Sequence, residues 1–278
     1  MQIGIIAGTG ELPLIIANDA KERGYRVVTV ALENLAPKEM EGLSDEIRWV
    51  NPGKLGDIIS TLKKHRIKEA IMAGKVPKSL LYKSKITPDL RAVKLLFSIK
   101  DRTDDAILNA LTKELESEGI QIIETVKFSP HLLTPDGYLT ARRPDEEQWK
   151  DIEFGWKIAK EIGKLDIGQT VVVKGQAVMA VEAIEGTDEA IIRGGHWAAE
   201  GAVVVKVSKP QQDMRLDVPA VGMDTMRSME KARARVLALE AGRSMIMGRD
   251  VVLREAERAG IAVIGISEET MYRRSSKS

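Results

Sequence analysis

Three carboxylates stand close together in the middle of the chain, just after an apolar and β-prone stretch. The segment between Leu165 and Asp188 reads LDIGQTVVVKGQAVMAVEAIEGTD, and Glu182, Glu185 and Asp188 lie where its apolar run ends. Acids at the end of a strand can hold a hard cation or orient a water molecule, because both bind oxygen atoms well. The segment therefore predicts a site of this kind.

Another acid interrupts an extended apolar segment further along, which reads Arg215-Leu216-Asp217-Val218-Pro219. A carboxylate is costly in such a segment unless it is paired, caps a helix or takes part in chemistry. Arg215 is the nearest candidate for an ion-pair partner. Asp217 is thus either a structural acid or a catalytic one.

A glycine-rich turn joins an apolar strand to a helix near the start of the chain. Its residues are Gly8, Thr9, Gly10, Glu11 and Leu12. Backbone N–H groups in this context can bind a phosphate. Glu33 follows the next strand, where a dinucleotide-binding fold places its ribose-binding acid, but Pro13 replaces the third glycine of that fingerprint. The turn either contacts a ligand or is only a tight connection, and an NAD(P)-dependent oxidoreductase is one alternative.

A second turn, Gly74-Lys75-Val76, follows another apolar strand. Ligands of parallel sheets lie beyond the carboxyl ends of the strands, so this turn is expected to face the same crevice as the glycine-rich turn. Lys75 then either meets a phosphate or is a solvated lysine. Asp104 and Asp105 stand at the start of a predicted helix, where Thr103 or Asp104 as a cap is the favoured interpretation from the local sequence.

The composition excludes several classes of function. The chain has 42 Lys and Arg against 41 Asp and Glu, so its net charge of +1 does not predict nucleic-acid binding. It has no Cys and only three His, which excludes thiolate chemistry and makes an oxygen-liganded metal the expected kind. His196 has no identifiable partner and is expected in a flexible Gly-Gly loop. No segment is long and apolar enough to span a membrane, and no amphipathic anchor helix stands out.

Strand and helix patterns alternate through the first half of the chain, which predicts a Rossmann-like domain with a parallel sheet over residues 1–130. Residues 129–144 contain three prolines and a Pro-Asp-Gly turn, as expected at a boundary. Residues 131–278 predict a second α/β domain. In this domain, residues 226–242, MRSMEKARARVLALEAG, are predicted as the strongest helix of the chain.

Six blocks of the sequence together resemble the UDP-2,3-diacylglucosamine pyrophosphatase family of lipid A biosynthesis, in the branch unrelated to calcineurin-like phosphoesterases. The blocks occur in order over nearly the whole chain: IAGTGELP, the AGKV turn, DRTDDAILNALTKELESEGI, EIGKLDIGQTVVV, AVEAIEGTDEAI and RLDVPAVG. The stretch RGGHWAAEGAV matches the family only loosely, so no role is assigned there.

The resemblance implies Mg²⁺-dependent hydrolysis of UDP-2,3-diacylglucosamine to UMP and 2,3-diacylglucosamine 1-phosphate, with Mn²⁺ as an alternative ion. Water attacks the α-phosphorus, and substrate lies between the two domains. The essential aspartate of the family aligns with Asp217, which is expected to be a metal ligand or general base. Asp217, Glu182 and Asp188 form the expected metal set. The expected substrate-binding residues are Gly8, Thr9, Gly10, Glu11, Leu12, Gly74, Lys75, Val76, Asp104, Asp105, Gln169, Glu182, Thr187 and Lys206.

The resemblance also implies a cytoplasmic enzyme that contacts the inner-membrane surface transiently, with a homodimer as a family-level expectation and no nucleic-acid partner. Besides the oxidoreductase, a non-catalytic nucleotide-sugar sensor is a further alternative. Such a sensor would gain thermal stability from a UDP-sugar without hydrolysing it.

Overall fold

The computed structural model describes residues 1–76, 87–99 and 104–275, and the chain divides into two compact units. Unit 1 comprises Met1–Pro130 and Met214–Leu216, and unit 2 comprises His131–Asp213 and Asp217–Ser278. Both units combine a sheet with packed helices, which confirms the predicted α/β fold class. The three residues from Met214 to Leu216 therefore belong to unit 1, although the residues before and after them in the chain belong to unit 2.

Unit 1 has a five-stranded parallel sheet in the order β3-β2-β1-β4-β5. Its strands are β1 (Gln2–Ala7), β2 (Arg26–Leu32), β3 (Glu46–Val50), β4 (Glu69–Ala73) and β5 (Gln121–Ile122). Its helices are α1 (Leu12–Glu22), α2 (Met40–Leu43), α3 (Leu55–Lys64), α4 (Leu90–Ser98) and α5 (Asp104–Ser117). The strand order reverses direction between β1 and β4, so the crevice of this Rossmann-like sheet opens at their carboxyl ends.

Helices cover both faces of this sheet, which is why its inner strands β1 and β2 are buried almost without alternation. On one face, residues of β1 such as Ile3 and Ile5 pack with Ile16 of α1 and Met40 of α2. On the other face, helices α3 to α5 pack over β2 and β4. The two cores bring the glycine-rich turn and the start of α1 to one edge of the sheet.

Unit 2 has a six-stranded mixed sheet in the order β6-β13-β11-β9-β7-β8 and a two-stranded sheet of β10 and β12. The strands are β6 (Gly137–Tyr138), β7 (Thr170–Lys174), β8 (Ala177–Val181), β9 (Val203–Lys206), β10 (Ala220–Val221), β11 (Val236–Glu240), β12 (Met245–Ile246) and β13 (Ala262–Ile266). The helices are α6 (Glu146–Lys164), α7 (Thr187–Ala198), α8 (Met223–Lys231), α9 (Arg249–Ala259) and α10 (Glu268–Ser275).

Alternate residues of the unit 2 strands enter two separate cores. Val171 and Val205 pack under α6, whereas Val172 and Val204 pack under α7, α8 and α9. Strands β9, β11 and β13 are parallel, so their carboxyl ends meet at one edge. The start of β7 lies at the same edge, because Thr170 pairs with Lys206.

The prediction of one long helix over residues 226–242 is wrong. Helix α8 ends at Lys231, and β11 begins at Val236 in the middle of the sheet. Arg233 adopts a positive φ of 51°, which ends the helical path. The run VLALE is buried on both faces between two parallel strands, and tertiary burial of this kind overrides helical propensity.

The prediction of a flexible loop around His196 is also wrong. Residues Gly194 and Gly195 lie inside α7, which packs closely on β7 and α8. A Cβ atom at Gly194 would lie 2.6 Å from Val172, and one at Gly195 would collide with the backbone of Ala232. The two glycines are therefore required by close packing, and His196 projects from a helix into solvent.

Among the described residues, no helix combines the length and the apolar character needed to cross a membrane.

Candidate active site

The two turns predicted to share a crevice in unit 1 are hydrogen-bonded to each other. The N–H of Gly8 donates to Ala73 O at 2.7 Å, and the N–H of Thr9 donates to Lys75 O at 2.9 Å. The Lys75 N–H donates back to Thr9 O at 3.2 Å, and the Thr9 hydroxyl donates to Lys75 O at 3.0 Å. The carboxyl ends of β1 and β4 thus carry one joined pair of turns.

Two of the predicted glycines are explained by this joining of the turns. A Cβ atom at Gly8 would lie 2.7 Å from Lys75 O. Gly74 has a φ of +86°, and a Cβ atom there would collide with the backbone of Gly8 and Thr9. Both positions need glycine for backbone packing, whether or not a ligand approaches.

The beginning of α1 offers backbone donors to a ligand. Gly10 has a φ of +93° with open space around it, and the N–H groups of Gly10, Glu11 and Leu12 donate to no acceptor in the described part of the chain. Free N–H groups at a helix N-terminus attract anions, because the helix dipole places partial positive charge there. Lys75 and Val76 are exposed beside this turn. This edge can therefore bind a phosphate-bearing ligand.

Four predicted residues form one polar network at the edge of the unit 2 sheet. Lys206 ends β9 and is only 3% exposed, and its ammonium donates to Thr187 Oγ1 at 2.6 Å. The Thr187 hydroxyl donates to Glu182 Oε1 at 2.8 Å, and the Gln169 N–H donates to Glu182 Oε2 at 3.3 Å. Lys206 and Glu182 form an ion pair at 4.0 Å. Strands β7, β8 and β9 and the start of α7 position these groups.

Glu182 is ionised within this network although it is buried. Burial raises the pKa of its carboxyl, but the Lys206 ammonium and hydrogen bonds from Thr170, Thr187 and the Gln169 N–H together outweigh burial. The pKa of Glu182 is therefore below its ordinary value of 4.5. Both oxygens of the Glu182 carboxylate are therefore already in contact with protein partners.

Two acceptors beside the network are buried without a hydrogen-bond partner in the described structure, namely Gln169 Oε1 and Asp188 Oδ1. Orphaned buried acceptors are costly, so they mark places where a ligand donor or a cation would be accepted. Gly168 adjoins this region, and a Cβ atom there would collide with the backbone of Glu182. Glu185 instead pairs with Arg193 at the surface.

Asp217 lies in the long connection between β9 and β10, just after the three residues that belong to unit 1. Its N–H donates to Asp213 O at 3.3 Å, and its carbonyl oxygen accepts from Gln212 Nε2 at 2.6 Å. These bonds fix the backbone. The Asp217 carboxylate is exposed and has no hydrogen bond or ion pair with another described residue. Arg215 was the predicted ion-pair partner of Asp217, but it forms an ion pair with Glu116 at 3.0 Å.

The described residues contain no group of three or more His, Asp or Glu side chains that could hold a metal ion. The expected set of Asp217, Glu182 and Asp188 is therefore not assembled in the protein alone. Glu182 is paired with Lys206, Asp188 Oδ1 is buried without a described partner, and the Asp217 carboxylate is exposed. An exposed carboxylate such as that of Asp217 is the kind of ligand that Mg²⁺ accepts when phosphate oxygens and water complete its coordination.

Sequence reasoning missed a second buried network at the same edge of unit 2. Glu240 ends β11 and is 1% exposed; its carboxylate accepts from Lys160 Nζ at 2.7 Å and from the Ser208 N–H at 2.7 Å. Lys160 also donates to Ser208 O at 3.2 Å. Ser208 begins the connection that leads to Asp217. An acid at the end of the buried run VLALE is the signal that, with β11 correctly predicted, would have identified this network.

Two predicted binding residues, Asp104 and Asp105, stand at the beginning of α5, and their side chains lie outside the described structure. Their expected role in substrate binding stays a prediction.

The fold and these sites define a two-unit α/β protein with a glycine-rich turn before a helix in its Rossmann-like unit and buried polar networks in the other. Residues 2–132 match the LpxI N-terminal domain, and residues 135–264 match the LpxI C-terminal domain. The chain belongs to the LpxI family.

A curated relative supports this membership. UDP-2,3-diacylglucosamine pyrophosphatase LpxI from Caulobacter vibrioides is 30% identical over 279 residues, covering 96% of this chain and 98% of that protein. Among solved structures, phosphoribosylglycinamide synthetase from Anaerococcus prevotii aligns at 18% identity with a TM-score of 0.27. That alignment covers 62% of this chain and 31% of the other.

Proposed function

We propose that this chain hydrolyses UDP-2,3-diacylglucosamine to UMP and 2,3-diacylglucosamine 1-phosphate. The single observation that carries the proposal is the family match over both units together with the relative aligned over 96% of the chain. The oxidoreductase alternative lacks comparable support, since Pro13 stands where its fingerprint needs a glycine.

The reaction breaks a phosphoanhydride, and the available groups suit its needs. The water oxygen forms a bond to the α-phosphorus, the bond from that phosphorus to the bridging oxygen breaks, and 2,3-diacylglucosamine 1-phosphate leaves with the electron pair. In the proposal, Asp217 lies at the reacting phosphate, where its unpaired carboxylate accepts the proton of the water or holds a metal ion. The protein must otherwise position substrate and stabilise charge on the phosphate oxygens.

The remaining sites are proposed to bind the substrate. The N–H groups of Gly10, Glu11 and Leu12 suit a phosphate or another anionic group of the nucleotide. In unit 2, the Glu182–Lys206 pair holds Thr187 and the backbone of Gln169 in place. The orphaned oxygens of Gln169 and Asp188 suit hydroxyl or amide donors of a sugar.

Mg²⁺ is the proposed metal ion, with Mn²⁺ as the alternative. Asp217 would hold it together with phosphate oxygens, and Asp188 is the other available carboxylate. When bound, the ion would neutralise charge on the phosphate and lower the pKa of a bound water molecule. Glu182 is left out of this proposal, because its carboxylate is ion-paired.

The experiment for the function is a direct assay. Purified protein is incubated with UDP-2,3-diacylglucosamine dispersed in detergent, with and without Mg²⁺, and UMP is measured by chromatography. We expect stoichiometric release of UMP and the sugar phosphate, and loss of release with a chelator. Absence of UMP under conditions in which an authentic pyrophosphatase is active would refute the function. Thermal stabilisation by a UDP-sugar without hydrolysis would instead identify a sensor.

The proposal extends to location and partners. The protein would act in the cytoplasm and contact the inner-membrane surface, because a diacylated substrate resides in a bilayer. A homodimer and the absence of a nucleic-acid partner stay predictions, which sedimentation and a nucleic-acid binding assay would test.

A further inference from the structure

Gln212 carries a buried amide whose two ends differ in their contacts. The residue is only 9% exposed, and its Nε2 donates to the Asp217 carbonyl oxygen at 2.6 Å. Its Oε1 is buried without a hydrogen-bond partner in the described part of the chain. Of the buried acceptors that have no described partner, Gln212 Oε1 lies nearest in sequence to the candidate catalytic acid.

The orientation of this amide follows from the carbonyl oxygen that it meets. A carbonyl oxygen only accepts hydrogen bonds, so the end of the Gln212 amide that faces Asp217 O must be the N–H donor. A reversed amide would place two acceptor oxygens against each other. Oε1 is therefore the end without a partner, and it lies beside the segment that carries the Asp217 carboxylate.

The neighbouring glutamine shows that the unpaired oxygen is not needed for this kind of bond. Gln211 also donates its Nε2 to a backbone carbonyl, that of Gly163, at 2.9 Å. Gln211 is exposed to solvent, however, whereas Gln212 is buried. A buried acceptor without a donor costs stability, because it has lost its bonds to water and gained none in return. Gln212 Oε1 therefore marks a place where an arriving donor would be accepted.

The donor that the proposed reaction brings to this place is the attacking water molecule. Phosphate oxygens beside Asp217 are acceptors, so they cannot satisfy Gln212 Oε1. A water molecule has two hydrogens, and two acceptors that hold both of them direct a lone pair of its oxygen towards the phosphorus. Glutamine side chains orient the attacking water in some phosphoryl-transfer enzymes.

We propose that Gln212 binds the attacking water molecule through Oε1 while its Nε2 holds the backbone of Asp217. This inference rests on the proposed function. Gln212 Oε1 is shielded from solvent in the described structure, so substrate binding opens the space in front of it. Catalytic hydrogen bonds of this kind commonly form only in the complex with substrate.

The bonds in this step balance. One hydrogen of the water passes to the Asp217 carboxylate, and the other stays on the oxygen, bonded to Gln212, while that oxygen joins the α-phosphorus. The bond from the phosphorus to the bridging oxygen breaks, and 2,3-diacylglucosamine 1-phosphate leaves with the electron pair.

The variant Gln212→Met tests the proposal, because it removes both polar ends of the side chain and keeps its length. Its melting temperature should stay close to that of wild type, since the lost bond to Asp217 O is offset by the removal of an unpaired acceptor. The kcat for UMP release from detergent-dispersed substrate should fall at least about tenfold. The KM should change less than about twofold, because the water molecule does not bind the substrate in the ground state.

A second variant, Gln212→Glu, gives a pH-dependent measurement. A protonated carboxyl group has an O–H donor and an oxygen acceptor, as the amide has, whereas the ionised group only accepts. The kcat of Gln212→Glu relative to wild type should therefore rise as the pH falls from about 8 to about 5, because burial raises the pKa of a carboxyl group into this range. The same ratio for Gln212→Met should not depend on pH.

Gln211→Met is the matched control, since it removes the same kind of bond from the adjacent residue. It should turn over like wild type. A wild-type kcat in Gln212→Met would overturn the proposal, and a lowered melting temperature with that kcat would assign Oε1 to a structural water molecule. A raised KM with an unchanged kcat would assign it to substrate binding, and equal losses of kcat in both methionine variants would show only a loosened connection; both results contradict the proposal.

The same assay separates this inference from the proposed function. Wild-type protein that releases no UMP would refute the function and this inference with it. Release of UMP by wild type together with an unchanged kcat in Gln212→Met would leave the function standing and refute this inference alone.

Discussion

At the scale of single residues, unit 2 contains acids in two different states. Glu182 is buried, ionised and held by Lys206 and Thr187, whereas Asp217 is exposed with a fixed backbone and an unpaired carboxylate. A carboxylate that is already neutralised contributes little to binding a cation, and an unpaired one is free to react or bind. Two members of the predicted metal set therefore differ, since Glu182 is held in an ion pair and the Asp217 carboxylate has no described partner.

We expect the variant Asp217→Asn to lose at least about a hundredfold in turnover, because an amide neither accepts a proton nor binds a cation well. Its melting temperature should stay close to that of wild type, since the exposed carboxylate has no described partner. The measurement is the rate of UMP release. Asp224→Asn is the matched control, as Asp224 is an exposed acid paired with Arg227. Wild-type turnover in the Asp217 variant would remove this residue from the mechanism.

The variant Glu182→Gln should change the pH dependence of stability. The folded pKa of Glu182 is below the ordinary 4.5, so its contribution is complete above 4.5 and disappears as the pH falls through the folded value. At pH 7 the variant should lose on the order of 3 kcal/mol, because the buried Lys206 loses its ion pair with the Glu182 carboxylate. Urea unfolding across this pH range measures both effects. The exposed Glu189→Gln provides a control; equal pH slopes for wild type and the Glu182 variant would contradict the argument.

Residue types and spacing singled out Glu182 and Asp217, whereas Gln169, Thr187 and Lys206 were expected only from the family resemblance. The sequence shows that Glu182 ends an apolar run, yet its partner Lys206 comes from a strand 24 positions later. Only the pairing of Thr170 with Lys206 across β7 and β9 brings the two charges together. Long-range pairing of this kind leaves no local pattern.

At the scale of elements, the connection from β9 to Asp217 is held at its beginning by the Glu240 network. Lys160 of α6 and Glu240 of β11 bind both backbone groups of Ser208. Charged groups that are buried and fully hydrogen-bonded favour one arrangement of the backbone. Glu240 is therefore a positioning residue for the connection.

The variant Glu240→Ala should lose about 3 kcal/mol of stability, since Lys160 loses its buried partner. The rate of UMP release should fall more than the apparent affinity for substrate, because the connection that carries Asp217 becomes less ordered. Glu240→Gln should recover part of the rate by still accepting from the Ser208 N–H. Kinetics and urea unfolding measure both properties.

The control for the two Glu240 variants is Glu268→Ala. Glu268 also contacts Lys160, at 3.4 Å, but its side chain is 74% exposed. Its removal should cost less than about 1 kcal/mol. Equal losses for the two alanine variants would show that burial of Glu240 does not decide the effect.

Most elements of unit 1 were predictable, because strands β1, β2 and β4 are short apolar runs that end in turns. The wrong prediction over residues 226–242 in unit 2 has a physical cause. Residues 226–242 combine helical spacing in the first half with an apolar run that suits either a helix or a buried strand. The position of β11 between two parallel neighbours selects the strand, and this position is a property of the whole sheet.

At the scale of the whole molecule, the segment Met214–Leu216 belongs to unit 1 although it follows 83 residues of unit 2 that begin at His131. The Thr125 hydroxyl donates to Arg215 O at 3.0 Å, Arg215 pairs with Glu116, and Leu216 packs against the unit 1 core. Asp217 is the next residue in the chain. The position of the candidate catalytic acid thus depends covalently on a segment held by unit 1.

We expect the variant Leu216→Asp to reduce UMP release by about tenfold or more, because a charge in place of a core contact releases the segment. The loss of stability should be about 1 to 3 kcal/mol, within the range of ordinary destabilising substitutions. Leu216→Met, which conserves volume, serves as the control. Full activity of the Leu216→Asp variant would show that the segment does not position Asp217.

The same segment restricts how genes of this family can recombine. A crossover near codon 130 would exchange Glu116 and Thr125 but leave Arg215 and Leu216 behind on the recipient half. The hybrid would then carry the segment Met214–Leu216 from one parent protein and the surface of unit 1 that it contacts from the other parent. Such a hybrid would keep the contact only if the two parent proteins had matching residues on both sides of it. The two halves of the gene are therefore expected to be inherited together.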